Sequence, residues 1–145
     1  NMGLSTLYLT SYASGLQCIA LESNPAFASV ARETFKQARN PIDLREGDYT
    51  DLLPKALEDM EAVDFVYFNM QDDDICCSSL FNKCVEQTNQ NSVFVFKGIK
   101  SSSKMRIAWK EICSHPKVTV TMDLYALGIV FFNDKLHKRN YITYY

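Results

Sequence analysis

The sequence predicts an α/β protein with a mostly parallel, doubly wound sheet. Two observations predict this fold class. Segments with the apolar spacing of helices alternate with short apolar runs over residues 1–114, as in a series of βαβ units. Residues 118–124 and 129–132 then form two strands separated only by a short link that contains Gly128. Because a parallel crossover needs a longer connection, these two strands form an antiparallel hairpin.

The composition favours a single cytoplasmic domain. The chain has 145 residues, 47% of them apolar, so we expect one domain over residues 1–145. Fifteen basic and seventeen acidic residues give a net charge of −2, which provides no overall field for nucleic acid or an anionic membrane. Neither a membrane-spanning apolar run nor a secretory signal is visible. Five cysteines are an odd number, and we expect them to be reduced small apolar residues, although a soft-metal site at Cys77 and Cys84 is conceivable.

For the first half of the chain, the sequence predicts the order helix, strand, helix, strand, helix. Residues 1–14 form a helix that ends at Gly15, and residues 16–21 form a strand that ends at Glu22. Asn24 and Pro25 start the next helix, and residues 42–46 form the second strand. Asp51 caps the third helix, which leaves Pro54 in the first turn. The predicted buried stripe of the second helix consists of Phe27, Val30, Ala31, Phe35 and Ala38.

The second half continues the alternation. Residues 64–68 are an apolar run typical of the centre of a parallel sheet, and residues 92–96 form the next strand. Between them, a helix over residues 76–87 turns Leu80, Phe81, Cys84 and Val85 inward. Ser102 or Ser103 caps the following helix, which buries Met105, Ala108, Trp109 and Ile112. A short strand at residues 141–144 ends the chain.

Five segments resemble motifs of one enzyme family. Residues 1–6, NMGLST, look like the end of a glycine-rich loop, and residues 20–23, ALES, resemble a strand end with an acidic residue. The later segments are EGDYTDLLPKAL at residues 46–57, DFVYFN at 64–69 and FVFKGI at 94–99. In this order and spacing they resemble class I S-adenosylmethionine-dependent methyltransferases, in particular the small-molecule O-methyltransferases. The resemblance spans nearly the whole chain, with its N-terminal part truncated.

The resemblance implies a fold, an activity and four cofactor-binding residues. The fold is a three-layer, Rossmann-like sheet with a C-terminal antiparallel hairpin, and the activity is methyl transfer from S-adenosylmethionine to a small-molecule acceptor. Gly3 would be the last glycine of the loop, Glu22 would hold the ribose hydroxyls, Asp48 would lie near the adenine, and Asn69 would face the methyl donor and acceptor. Independently of the family, open α/β sheets bind ligands at the carboxyl ends of their strands, and amides near Gly3 favour a bound carboxylate. A solvated strand end for Glu22 and a turn residue for Asp48 remain the alternatives.

The sequence departs from the family in two places. Metal-dependent members carry acidic residues where this chain has Asn69, Lys97 and Gly98, and these side chains cannot form a hard-cation site, so we expect no metal. The first, central strand of the family sheet is missing from this chain, together with most of the glycine-rich loop. We therefore expect S-adenosylmethionine binding to be weak or absent in this fragment. The strand could precede Asn1, come from another chain, or be replaced by a closed-up sheet, and we expect the first.

The sequence leaves the chemistry and the partners partly open. No catalytic residue is assigned, because Asp72, Asp73 and Lys97 are better explained as a solvated loop and a surface lysine. The alternative to an enzyme is a non-catalytic module that uses the fold for binding or assembly. We expect a small-molecule substrate, no nucleic acid and no membrane, and we leave a homodimer open. The C-terminal tail, residues 134–145, is better explained as an edge strand guarded by charge than as a contact for RNA. The basic and aromatic residues of the tail are Lys135, Lys138, Arg139, Tyr141, Tyr144 and Tyr145. The histidines His115 and His137 are structural or exposed.

Overall fold

The computed structural model describes residues 3–69 and 77–143. Between Asp59 and Met60, the described residues divide into two compact units, called here the N-terminal unit and the C-terminal unit. The predicted α/β class is confirmed, with parallel strand pairs in both units and an antiparallel hairpin in the second. The candidate residues Asp72 and Asp73, together with Cys76, Tyr144 and Tyr145, lie outside the described residues.

The N-terminal unit has the predicted order of elements. Its helices and strands are α1 (Leu4–Thr10), β1 (Cys18–Glu22), α2 (Pro25–Phe35), β2 (Ile42–Glu46) and α3 (Tyr49–Glu58). The two strands pair in parallel, from Cys18 opposite Ile42 to Glu22 opposite Glu46. Their carboxyl ends therefore lie side by side.

Helix α1 is shorter than predicted, and a buried side chain explains where it ends. The Nδ2 group of Asn40 donates hydrogen bonds of 2.6 Å to the carbonyls of Thr10 and Ala13. Its Oδ1 atom accepts the Gly15 N–H at 3.0 Å. Asn40 is only 4% exposed. The helix ends at Thr10 because this amide takes over carbonyls that would otherwise continue it.

The start of α2 is confirmed, whereas its predicted buried stripe is partly wrong. The Asn24 side chain accepts from the amides of Ala26 and Phe27, and Pro25 is the first helical residue. The side chain of Val30 is 44% exposed, while Ala28 is fully buried. The stripe is centred on the small residues Ala28 and Ala31, which allow close packing, and not on the larger β-branched side chain.

The predicted start of α3 is wrong by one turn. Asp48, not Asp51, caps the helix, and its side chain accepts from the Thr50 amide. The helix therefore begins at Tyr49, and Pro54 lies in the helix interior instead of in the first turn. Proline has no N–H group, so the carbonyl of Thr50 receives no helical hydrogen bond from this position.

The C-terminal unit is a five-stranded sheet with two helices. Its strands follow the spatial order β3-β4-β6-β5-β7. β3 and β4 are parallel, β6 is antiparallel to both β4 and β5, and β7 is parallel to β5. The elements are β3 (Phe65–Phe68), α4 (Cys77–Val85), β4 (Val93–Lys97), α5 (Ser103–Ser114), β5 (Val120–Leu124), β6 (Leu127–Phe131) and β7 (Arg139–Ile142).

Two predictions for these strands are wrong. β3 lies at the edge of the five-stranded sheet and not at its centre, since β4 is its one neighbour among the described strands. Gly128 lies inside β6, opposite Asp123 and Phe96, and the link between β5 and β6 consists of Tyr125 and Ala126. A Cβ atom at position 128 would collide with the indole ring of Trp109 and lie 2.9 Å from Ile99 Cγ2. The glycine is needed for packing and not for the turn.

Helices α4 and α5 cover the face of the sheet that carries the aromatic core. The rings of Phe68 and Phe96 stack at 4.4 Å, and Phe81 of α4 meets the Phe94 ring edge-on at 6.0 Å. Ser102 caps α5 by accepting the Met105 amide. The predicted inward residues of both helices are confirmed except for Met105, which is half-buried: Leu80, Phe81, Cys84, Val85, Ala108, Trp109 and Ile112.

The edge strands differ in charge. β2 carries Asp43 and Arg45, and Arg45 pairs with Asp43 at 2.7 Å and with Asp59 at 2.6 Å. Hydrogen bonds to Asp43 and then to Asp59 raise the pKa of Arg45. β7 is exposed along its whole length and begins with Arg139, as expected for an edge strand guarded by charge. β3, with the sequence FVYF, has no charged residue.

His115 makes the stability of the C-terminal unit depend on pH. Its ring meets Phe81 edge-on at 5.3 Å, and its Nδ1 atom accepts the Lys117 N–H at 3.2 Å. Burial, and then the charge of Lys117, lower the pKa of His115 below its ordinary value of 6.5, with Lys138 adding to the effect and Glu86 opposing it. Between the lowered pKa of the folded state and about pH 6.5, the unfolded chain therefore binds more protons at His115 than the folded chain does. The stabilisation of the folded state by neutral His115 is complete above about pH 6.5 and is lost as the pH falls through the lowered pKa.

We expect His115→Gln to remove this part of the pH dependence. Urea unfolding of both proteins between about pH 7.5 and pH 5 measures the difference in the free energy of unfolding, which should shrink as the pH falls. His137→Gln is the control, because it makes the same substitution at an exposed position. Parallel curves for wild type and His115→Gln would contradict the prediction.

Candidate functional site

The carboxyl edge of the N-terminal unit brings two predicted residues to the same side. Glu22 is the last residue of β1, and Asp48 follows β2 after Gly47. The Gly47 N–H donates to the Glu22 carbonyl at 3.1 Å, so the two strand ends are directly linked. Helices α2 and α3 both begin at this edge, and their first amides carry partial positive charge.

Glu22 has a fixed carboxylate. Its Oε1 atom accepts the Asn24 N–H at 3.0 Å, just before α2 begins. The side chain is half-buried. This hydrogen bond orients the carboxylate at the sheet edge, and a carboxylate can accept hydrogen bonds from two neighbouring hydroxyl groups. The arrangement suits a sugar diol, which is the ligand that the sequence predicts for Glu22.

Asp48 has a structural role at the same edge. Its Oδ1 atom accepts the Thr50 N–H at 2.6 Å and the Thr50 hydroxyl at 2.5 Å. The residue is exposed. Capping of α3 is thus one function of this carboxylate, in line with the turn interpretation, and contact with an adenine stays a prediction.

Gly3 lies against α2 and has a packing role. It precedes α1 with φ at 78°, in the left-handed region. A Cβ atom here would lie 2.7 Å from Phe35 Cε1 and 3.3 Å from Ala31 Cα. Ala31 comes six residues after Pro25, roughly 9 Å along the axis of α2. Gly3 therefore packs beside the second half of α2, whereas Glu22 precedes its first turn.

The carboxyl edge of the C-terminal unit carries Asn69 and Lys97. Phe68 pairs with Phe96, so Asn69, directly after β3, lies beside Lys97, the last residue of β4. Asn69 is half-buried and Lys97 is exposed. Gly98 follows with φ at 76°, and its N–H donates to the Ala126 carbonyl at 2.6 Å. An amide, an ammonium and a glycine offer no set of anionic oxygens for a hard cation.

A polar cluster at this edge escaped the sequence analysis. Because β6 is antiparallel to β4, with Leu127 opposite Lys97, the turn between β5 and β6 lies at the carboxyl end of β4. Asp123 accepts from the Lys100 ammonium and from the Tyr125 N–H, both at 2.9 Å. The Lys100 Nζ atom lies 5.1 Å from the centre of the Tyr125 ring. The sequence carried no signal for this cluster, because the two-residue link of Tyr125 and Ala126 is defined only by the strand pairing of the folded hairpin.

The described cysteines differ in burial. Cys77 and Cys84 are buried, and Cys18 and Cys113 are half-buried. Burial raises the pKa of Cys84 to about 12, so its thiol is protonated near neutral pH. Within residues 3–69 and 77–143, no three His, Cys, Asp or Glu side chains are grouped as a metal site would require. The small apolar interpretation accounts for the buried pair.

Comparison with known proteins identifies the fold through structure alone. No protein-family model and no curated protein matches the sequence. Among the described helices, none has both the length and the apolar character that crossing a bilayer requires.

Solved O-methyltransferase structures are similar to this chain. The O-methyltransferase from Bacillus cereus in complex with SAH has 17% identity and a TM-score of 0.70, and the match covers 89% of this chain and 69% of that one. TomG from Streptomyces achromogenes, involved in tomaymycin synthesis and solved with SAM, has 15% identity and a TM-score of 0.71, with 90% and 69% covered. CalS11, a TDP-rhamnose 3'-O-methyltransferase of calicheamicin biosynthesis, has 14% identity and a TM-score of 0.64, with 90% and 66% covered. The chain has the methyltransferase fold that its motifs imply.

Proposed function

We propose that this protein transfers a methyl group from S-adenosylmethionine to a small-molecule acceptor. The observation that carries the proposal is the placement of the Glu22 carboxylate. It lies at the carboxyl end of β1 and accepts a hydrogen bond from the backbone N–H of Asn24. Two of the similar structures were solved with SAH or SAM. The cofactor-binding residues of the proposal are Gly3, Glu22, Asp48 and Asn69.

The proposed chemistry depends mainly on positioning. The cofactor, when bound, would supply its sulfonium methyl group. An acceptor oxygen or nitrogen would bond to the methyl group as its bond to sulfur breaks, SAH would leave, and the acceptor proton would pass to solvent or to a base that is not assigned. The protein must therefore align the two reactants. Glu22 would fix the ribose, and Asn69, next to Lys97 at the end of β3, would face the reacting groups. The donor set of Asn69, Lys97 and Gly98 favours a reaction that needs no divalent cation.

The proposal also covers the domain organisation, location and partners of the protein. It includes a single domain over residues 1–145 and a location in the cytoplasm. The odd number of five cysteines supports a reducing compartment. A small molecule is the proposed partner, and a homodimer is compatible with the proposal.

A non-catalytic module with the same fold is the second candidate. The structural roles of Asp48 and Gly3 favour it, since capping of α3 and packing against Phe35 explain both residues without a ligand. Such a protein would keep the fold for binding or assembly. Whether it binds the cofactor separates the two candidates.

Titration calorimetry with SAH tests the proposal. We expect weak binding by the wild-type protein, measurable at millimolar SAH, because most of the glycine-rich loop is missing. Binding by Glu22→Gln should be at least about ten-fold weaker, because hydrogen bonds to a carboxylate contribute about 1.5–3 kcal/mol. Glu33→Gln is the matched control, since Glu33 is an exposed carboxylate on α2 that pairs with Lys36 at 2.8 Å. No binding at millimolar SAH would favour the non-catalytic module. Equal binding by wild type and Glu22→Gln would remove Glu22 from the site.

A further inference from the structure

Tyr125 has a backbone conformation that its side chain does not favour. Its φ is 64°, and it is the one non-glycine residue with positive φ in the described part of the chain. The Ala126 N–H donates to the Leu124 carbonyl at 2.8 Å, which closes a three-residue turn around Tyr125. Such turns are rare and strained, and a bulky residue in this region of the backbone map is an outlier.

Packing does not explain why a tyrosine occupies this turn. The residue is 67% exposed, so its ring contributes little to the core. Glycine or asparagine would adopt the same φ with less strain. Strained residues concentrate at sites where their side chains have a function, and the exposed ring is what distinguishes tyrosine from the residues that fit the turn better.

A buried carboxylate binds both the turn and the cation beside the ring. Asp123, 9% exposed, accepts from the Tyr125 N–H and from Lys100, whose ammonium lies 5.1 Å from the ring centre. One contact fixes the turn and the other places a cation against the ring. A ring fixed in this way loses little conformational entropy when a ligand stacks on it.

The turn lies at the edge where a ligand is expected. It stands at the carboxyl end of β4, because Leu127 pairs with Lys97 and Ala126 accepts from Gly98. Open α/β sheets bind ligands outside these strand ends. An exposed aromatic ring at such an edge is complementary to a flat, π-bonded molecule.

We infer that Tyr125 is an acceptor-positioning residue that stacks on a planar aromatic acceptor. The inference rests on the proposed methyl transfer and adds the acceptor class and the residue that selects it. A planar group could also be the adenine of the cofactor, so the experiment includes an arm for each source.

Ligand-observed NMR with a pair of probes tests the inference. The probes are 2-naphthoate, which is planar, and decahydro-2-naphthoate, which has the same charge and a saturated frame. We expect the wild-type protein to prefer 2-naphthoate and Tyr125→Gly to bind it about five-fold more weakly, the range expected for one aromatic pair. Binding of the saturated probe should be the same in both proteins. Tyr8→Ala is the control, since Tyr8 of α1 is a similarly exposed tyrosine, 69% exposed, that belongs to the N-terminal unit.

Thermal unfolding distinguishes ligand stacking from a structural role. Tyr125→Gly should keep or raise the melting temperature, because it relieves the positive φ and removes an exposed ring. A fall of more than about 3 °C would mean that the ring stabilises the fold, and would overturn the inference.

A third titration, with SAH, separates the two proposals. Unchanged SAH binding by Tyr125→Gly, together with weaker 2-naphthoate binding, supports the acceptor assignment. Weaker SAH binding by Tyr125→Gly would assign the ring to the adenine and overturn it. Equal 2-naphthoate binding by both proteins overturns the inference even if SAH binds. Failure of SAH to bind the wild-type protein contradicts the proposed function and with it the acceptor role of Tyr125, even if Tyr125 stacks on 2-naphthoate.

Discussion

Gly128→Val should lower the free energy of unfolding of the C-terminal unit by about 3 kcal/mol or more. A Cβ atom at this position collides with the Trp109 indole, which is 7% exposed, and lies 2.9 Å from Ile99, which is fully buried. Neither neighbour can move into solvent without exposing core. β6 has hydrogen-bonded neighbours on both sides, so its backbone cannot shift away from the helix either. Urea unfolding followed by far-UV circular dichroism measures the loss.

Two further variants test whether a steric conflict with Trp109 causes this loss of stability. Ala126→Val adds bulk at an exposed turn residue close in sequence and should change stability by at most about 0.5 kcal/mol. Trp109→Leu should make room for the new side chain, so that Gly128→Val costs at least about 1 kcal/mol less in that background than in the wild type. Additive losses in the double mutant would contradict a steric conflict with Trp109.

Asn40→Asp should destabilise the N-terminal unit by about 3 kcal/mol. The amide donates to the carbonyls of Thr10 and Ala13, both at 2.6 Å, and a carboxylate would place an oxygen against them instead. The position is 4% exposed, so water cannot replace the lost donors. Removing one partner of buried polar groups costs about 1–3 kcal/mol per group left unsatisfied.

Hydrogen exchange measures this effect within the unit. The Gly15 amide, which is bonded to Asn40 Oδ1, and the amides of α1 should exchange faster in Asn40→Asp, while those of the C-terminal unit report any global change. Asn91→Asp is the control, because Asn91 is exposed. Unchanged protection of the Gly15 amide would show that Asn40 does not hold the segment after α1.

Features determined by local chemistry could be predicted from the sequence. The bounds of β2, the cap Asn24 and the presence of the hairpin all follow from residues within a few positions of each element. For α5 the same reasoning left two caps open, Ser102 and Ser103, and the structure has Ser102. The choice between Asp48 and Asp51 could not be made in this way, because two aspartates three residues apart offer equivalent caps.

Features determined by distant residues could not be predicted. Gly128 is explained by Trp109 on another element, and the end of α1 by Asn40 after α2. The strand ends at Glu22 and Asn69 could be predicted from the sequence, because the end of a buried strand depends only on where its apolar run stops. Tyr125 was not, since its φ and its contact with Lys100 arise only when the hairpin is folded.

The uncharged strand β3 has a consequence for handling the protein. Among the described strands it pairs only with β4, and Phe65 at its start is 46% exposed. Its own residues thus include no lysine or arginine that would repel a further strand at that edge. In concentrated solution, molecules are expected to oligomerise through β3 sooner than through β7, where Arg139 keeps neighbouring chains apart. A single lysine introduced for Phe65 would be the natural solubilising change.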